Sequence, residues 1–167
     1  MEIGGARIRV IIALLAVVSG FRSAQAQPGD IEAITRAAVL YRDADDIKSV
    51  EAVCGRCHAA DMYLKVPRSY LRWEEVFARM SKHGATGSDD QLNAVIRFVD
   101  RNLTIVNLNT SFAEELEAVL QIAPASSAMI IQRRELKSLR RIQDLEGIDG
   151  LDFAAMRKRE KLGLLHF

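Results

Sequence analysis

The sequence predicts an all-α protein of two small helical domains that follow an export signal. Apolar residues recur at the three- and four-residue spacing of helices, and Ser-x-x-Gln and Ser-x-x-Glu pairs mark two helix starts. The 167 residues leave room for one domain or two very small ones. Because the texture of the chain changes at Thr104, we expect two domains, over residues 27–103 and 104–167.

Residues 1–26 have the three parts of a secretory signal peptide. Arg7 and Arg9 give a positive start, Val10–Gly20 is an apolar run, and Ala24–Ala26 matches the A-x-A cleavage site. The apolar run is well short of the roughly 20 residues that span a bilayer. We therefore expect cleavage rather than anchoring, no transmembrane segment in the mature chain, and a periplasmic protein.

The charge balance argues against a protein built around nucleic-acid binding. Without residues 1–26 the chain carries 20 basic and 21 acidic side chains. The two halves are balanced as well, with 11 basic and 12 acidic residues in 27–103 and 9 of each in 104–167. Binding to DNA or to an anionic membrane surface would have to come from a local arrangement of charges, because composition supplies no basic footprint.

The most specific motif is Cys54-Gly55-Arg56-Cys57-His58, which uses both cysteines of the chain. A C-x-x-C-H motif attaches c-type haem, with two thiols for the thioether bonds and a histidine to ligate the iron. Zinc would need two further ligands. A redox pair of the thioredoxin kind would not call for His58. The motif therefore predicts one covalently bound haem c.

Helical stripes surround this motif. Ile31 to Tyr41 begins the pattern, and Ile47, Val50 and Val53 lead directly into Cys54. Further helices are predicted after the motif. The first carries Trp73, Val76, Phe77 and Met80 on one face; the second starts at the Ser88–Gln91 capping box and carries Leu92, Val95, Ile96 and Val99.

The segment from about Ser49 to Asn102, roughly a third of the chain, resembles the small class I cytochrome c domains. The likeness is to those that follow the haem motif with Trp-x6-Met-x3-Gly-Ala, here Trp73, Met80 and Gly84-Ala85. The resemblance implies that a methionine thioether is the second axial ligand, which raises the reduction potential and leaves no open iron site.

Two methionines compete for the position opposite His58. Met62 lies only four residues after His58 and would have trouble reaching the opposite haem face, whereas Met80 follows a helix and a reversal. We expect His58 and Met80 to bind the iron; the alternatives are ligation by His83 or a five-coordinate iron. Arg72 and Trp73 carry N–H donors that could meet a haem propionate.

Residues 104–167 resemble the helix-hairpin-helix domain of the periplasmic competence DNA receptor. The likeness is strongest at Val106–Thr110, which leads to a helix that we expect Ser111 and Glu114 to cap. In that family glycines let backbone N–H groups approach a phosphate. Here Gln121 and Ala123 stand in the first hairpin, so it should grip phosphate poorly.

The second hairpin, Asp149–Asp152, keeps one glycine between two carboxylates that would repel phosphate. Basic residues lie nearby, and a solvated helix face explains them as well as DNA does. A degenerate helix-hairpin-helix domain can instead serve as a docking or packing module. In this respect residues 104–167 resemble a domain in an extrinsic subunit of photosystem II. These basic residues are Arg133, Arg134, Lys137, Arg140, Arg141, Arg157, Lys158 and Arg159.

Three functions remain open from the sequence. The leading one is a periplasmic monohaem cytochrome that passes single electrons to or from a redox protein or membrane-bound redox complex. It is an electron carrier rather than an enzyme, and the C-terminal domain serves for docking. The alternatives are a haem-carrying DNA-binding protein, and a haem enzyme or gas sensor if the sixth iron position is open.

Overall fold

The computed structural model describes residues 43–64 and 66–167. The predicted signal peptide and the stripe from Ile31 to Tyr41 lie outside these residues. Within them 62% of the residues are helical and 7% are in strands, which confirms a mainly helical protein. None of the helices described has both the length and the apolar character needed to cross a membrane.

Four helices form the N-terminal half: α1 (Ala44–Cys54), α2 (Ala60–Leu64), α3 (Tyr70–Lys82) and α4 (Asp89–Leu103). Asp43 caps α1, because its carboxylate accepts from the backbone N–H groups of Asp45 and Asp46. The capping box predicted at Ser88 and Gln91 is present at the start of α4. Both long predicted stripes after the haem motif therefore lie on helices.

The N-terminal half has its own hydrophobic core, in which α1 packs on α4. The buried Asp46 of α1 forms an ion pair with Arg97 of α4, with 2.7 Å between Oδ1 and Nη2. This pair fixes how the two helices sit against each other at one end. The core residues are Ile47, Val50, Val53, Leu64, Trp73, Val95, Phe98, Val99 and Leu103.

The C-terminal half contains α5 (Ala113–Leu120), α6 (Pro124–Leu136), a 3-10 helix (Ile142–Leu145) and α7 (Phe153–Lys161). Its core is a second cluster of buried apolar residues. Phe112, just before α5, stays 39% exposed. The buried residues are Val106, Leu108, Leu116, Val119, Leu120, Ile122, Ile130, Leu139, Ile142, Leu145, Ile148, Met156 and Leu165.

The predicted cap of α5 is wrong. The helix begins at Ala113 after Phe112, and the Ser111 hydroxyl accepts from the backbone N–H of Asn107 instead, at 3.1 Å. Ser111 therefore closes the turn before α5. A carboxylate cap does occur at α7, where Asp152 accepts from two backbone N–H groups of the first turn.

The prediction of a wholly α-helical chain misses a small parallel sheet. Its strands, in spatial order, are β1 (Arg68–Ser69), β2 (Thr104–Asn107) and β3 (Leu165–His166). In the register, Arg68 pairs with Thr104, and Val106 pairs with Leu165. Because β2 follows α4 directly and pairs with a strand from each half, the sheet joins the two halves.

Candidate functional site

The candidate site is a cavity of about 690 Å³ bounded by the four helices of the N-terminal half. This volume lies within the roughly 300–1,000 Å³ of sites that hold cofactors and small ligands. Its walls are mainly apolar. The apolar lining comprises Val50, Val53, Trp73, Val76, Phe77, Leu92, Val95, Ile96, Phe98, Val99 and Leu103.

The C-x-x-C-H motif lies at the end of α1, on the edge of this cavity. The chain continues for one more turn after the helix, since the backbone N–H groups of Cys57 and His58 both donate to the Cys54 carbonyl. Residues three and four positions apart then lie on the same side of the turn. Cys54, Cys57 and His58 accordingly all line the cavity.

Cys54 is half-buried and Cys57 is exposed, and the two form no disulfide with each other. Burial raises the pKa of the Cys54 thiol to about 11. Reactive redox cysteines have a lowered pKa instead, because the thiolate is the nucleophile. In residues 43–64 and 66–167 no group of three or more His, Cys, Asp or Glu side chains is placed to hold a metal ion.

Helix α3 brings the predicted face to the cavity, where Trp73 and Met80 both lie. The helix ends in a Schellman motif, in which Ala85 N–H donates to the Met80 carbonyl and Gly84 N–H to that of Ser81. Gly84 has a φ of +88°, which favours glycine. The Met-x3-Gly-Ala spacing thus places Met80 in the last turn before the reversal.

Three further sulfur or imidazole groups could compete for a bound iron. Met62 in α2, Met80 in α3 and His83 at the end of α3 all line the same cavity as His58. Met62 is the most exposed of the methionines discussed, at 62%. The assignment of Met80 as the sixth ligand therefore stays a prediction. Met80 lies within α3, before the reversal at Gly84 and not after it as the sequence suggested.

Trp73 has a different role from the one predicted. Its indole N–H donates to the carbonyl of Leu103 at 3.2 Å, inside the core. An indole has one donor only, so Trp73 has none left for a haem propionate. Its rings pack against Phe77, with 6.0 Å between ring centres, and contribute an apolar wall.

Arg72 lies outside the cavity lining. It is exposed and forms an ion pair with Glu75 on the outside of α3. Arg68 lines the cavity instead, with its guanidinium carbon 5.5 Å from the centre of the Trp73 ring. Arg68 precedes the helix, and its position depends on the pairing of β1 with β2, which no local pattern reveals.

In the C-terminal half, the first hairpin is tied to α4. Gln121 has a φ of +57°, where the resembling family has glycine, and its side-chain oxygen accepts from two guanidinium nitrogens of Arg101 at 3.1 and 2.9 Å. The Gln121 side chain therefore forms part of the contact between this hairpin and α4.

Two of the basic residues considered for DNA binding act inside this half. Arg133 donates to the carbonyls of Asp144 and Glu146, and Arg134 to those of Leu108 and Ser111. These contacts connect α6 to neighbouring loops. The guanidinium groups of Arg133 and Arg134 thus stabilise the packing of the C-terminal half.

The structure brings most of the predicted site residues together: Cys54, Cys57, His58, Met80 and Trp73 share one cavity, and Arg72 lies outside it. Comparison with models of known protein families, with curated proteins and with solved structures gave no match. The function is accordingly proposed from the chemistry and geometry of this cavity.

Proposed function

We propose that this chain is a monohaem c-type cytochrome of the periplasm that carries single electrons. Cys54 and Cys57 would hold the haem covalently, and His58 and Met80 would bind its iron. The observation that carries the proposal is the place of the C-x-x-C-H motif, at the edge of an apolar cavity of about 690 Å³. A large apolar cofactor suits both the motif and the cavity.

The exposed apolar residues around the cavity support this fit. Met62, Leu92 and Ile96 are 62%, 36% and 42% exposed, and all three line the cavity. Leaving apolar surface in water costs about 25 cal/mol per Å². A flat apolar group in the cavity would cover these side chains.

The charged residues fit the haem as well. Among the described lining residues, the side chains with a full charge at neutral pH are Arg68 and Arg79, both positive. Haem carries two propionates, so positive charge at the wall is complementary to it. The stacked Trp73 and Phe77 exclude water from the same wall.

When bound, the haem would supply an iron that takes up and releases one electron. The protein's part is to hold the iron ligands, exclude water and leave an edge for a partner. A methionine thioether raises the reduction potential and fills the sixth position. A redox protein or a membrane-bound redox complex would be the partner, with the C-terminal half as docking module.

Absorption spectra of the purified protein test this proposal. We expect a reduced c-type spectrum that stays with the polypeptide after denaturation. In Met80→Ala, carbon monoxide or imidazole should bind the folded protein readily, whereas wild type and the control Met62→Ala should exclude them. Free access in wild type would favour the haem enzyme or gas sensor. A polypeptide without covalent haem would overturn the proposal.

The DNA-binding alternative has a separate test. It predicts binding to duplex DNA that weakens steeply with salt and when Arg133, Arg134 or Lys158 is changed to alanine. The structure gives Arg133 and Arg134 backbone partners. We expect no duplex binding at low salt; salt-sensitive binding by the folded wild type would support the alternative.

A further inference from the structure

Arg159 of α7 is a cation in the interior of the protein, 1% exposed. We infer that Arg159 is a positioning residue of the cavity, through which the C-terminal half holds one wall of the site in place. The inference rests on the proposed haem function. It makes the C-terminal half a part of the haem site as well as a docking module.

The contacts of Arg159 converge on the end of α4. Nη2 donates to the carbonyls of Asp100 and Arg101, at 2.7 Å each, and Nη1 donates to that of Thr104 at 3.0 Å. The last carbonyls of a helix have no partner within the helix, and a cation stabilises that end of the helix dipole. One planar guanidinium satisfies three carbonyls here.

The clamped segment carries part of the cavity wall. Leu103 lies between the clamped residues, lines the cavity, and accepts the indole N–H of Trp73 through its carbonyl. The chain of contacts therefore runs from Arg159, through the end of α4, to Trp73. A shift of this segment moves Leu103 and the Trp73 ring together.

The sheet provides a second connection along the same line. Thr104, whose carbonyl accepts from Arg159, pairs with Arg68, and Arg68 lines the cavity. On the other side, the Arg159 carbonyl accepts from the backbone N–H of Leu164, just before β3. The side chain of Arg159 thus connects the two halves, and its backbone carbonyl holds the end of α7 beside β3.

Lysine cannot replace this arrangement. A guanidinium presents donors in a fixed plane, whereas an ammonium is a point charge on a flexible stem. Arg159→Lys keeps the positive charge, but its ammonium group can donate to only some of the three carbonyls of Asp100, Arg101 and Thr104. Arg159→Met removes all the donors while keeping a long side chain. Arg157→Met, on the exposed surface of the same helix, is the matched control.

The test uses the reduced holoprotein labelled with ¹⁵N. Trp73 is the only tryptophan of the chain, so one indole N–H signal reports on its bond to Leu103. In Arg159→Met we expect hydrogen exchange at this N–H to be at least tenfold faster than in wild type and in Arg157→Met. Carbon monoxide should also bind its haem faster, and Arg159→Lys should lie between. Amide exchange within α5 and α6 should stay unchanged.

The inference would be overturned if a folded Arg159→Met protein showed the same indole N–H exchange rate and the same haem spectrum as wild type. Equal acceleration at all amides would do so too, since it would show a loss of global stability only. If Arg159→Met does not fold, the Arg159→Lys protein decides by the same two readouts. Absence of covalent haem from wild type would instead overturn the proposed function.

Discussion

The two halves of the described chain differ in how their cores are filled. In the C-terminal half, Leu116, Ile130 and Leu145 have no exposed surface. In the N-terminal half, Leu92 and Ile96 belong to the predicted apolar stripe of α4 and remain partly exposed around the cavity. Because Leu92 and Ile96 line the cavity proposed for haem, the proposal predicts that the haem covers them.

This difference predicts that the effect of shortening a core side chain depends on haem in one half and not in the other. Leu116→Ala should lower the free energy of unfolding of its half by about 2–5 kcal/mol, whether or not haem is attached, because it leaves a cavity in a closed core. Ile96→Ala should cost about 1 kcal/mol or more in the haem-bearing protein and close to nothing in Cys54→Ala/Cys57→Ala.

Denaturant unfolding and amide exchange, measured in both backgrounds, provide the comparison. Amide exchange in α5 reports on the stability of the C-terminal half, and amide exchange in α4 reports on the stability of the N-terminal half. An equal cost of Ile96→Ala with and without the cysteines would show that no cofactor covers this residue, and would remove the contrast between the two halves.

Asp100 lies where the halves meet and predicts a pH dependence. Burial raises the pKa of this carboxyl from 3.8 to about 6, and the nearby Arg159 partly opposes the shift. The folded protein therefore holds the proton more tightly than the unfolded chain does. The contribution of Asp100 to stability is fully present below pH 3.8 and is lost as the pH rises through about 6.

In Asp100→Asn this contribution disappears, so the difference in unfolding free energy between wild type and variant should change by up to roughly 3 kcal/mol from pH 4 to pH 7. Wild type loses stability relative to the variant as the pH rises. Urea titrations at several pH values measure the difference. A constant difference across that range would show that Asp100 titrates normally.

Gln121 predicts the smallest effect, at the hairpin. Gln121→Ala keeps the left-handed backbone and loses the bonds to Arg101, so it should destabilise the protein by about 1 kcal/mol. Gln121→Gly loses the same bonds and relieves the backbone, so it should be more stable than Gln121→Ala by about 1 kcal/mol. Thermal unfolding of the two variants gives the comparison; equal stabilities would contradict it.

Local patterns were enough to predict much of this fold. The stripe of Val50 and Val53, the capping box at Ser88 and the Gly84 reversal each involve residues within one or two helical turns of each other. The haem motif is likewise a five-residue signal, and its place at a cavity follows from the helix that carries it.

The features that prediction missed depend on long-range pairing. Strands β1 and β3 have two residues each, below the usual strand length of about 5–6, and pair with a β2 that is distant in sequence. Arg68 owes its position at the cavity to that sheet, so a local pattern could not indicate it. Ser111 fits the local pattern of a helix cap, but its hydroxyl accepts from the backbone N–H of Asn107 and does not cap α5.

Mass spectrometry of the exported, purified and denatured protein detects covalently attached haem. We expect the mass of the processed polypeptide plus one haem for wild type, and the polypeptide alone for Cys54→Ala/Cys57→Ala. A wild-type chain that carries no haem, whether as free thiols or as a disulfide, would contradict this expectation.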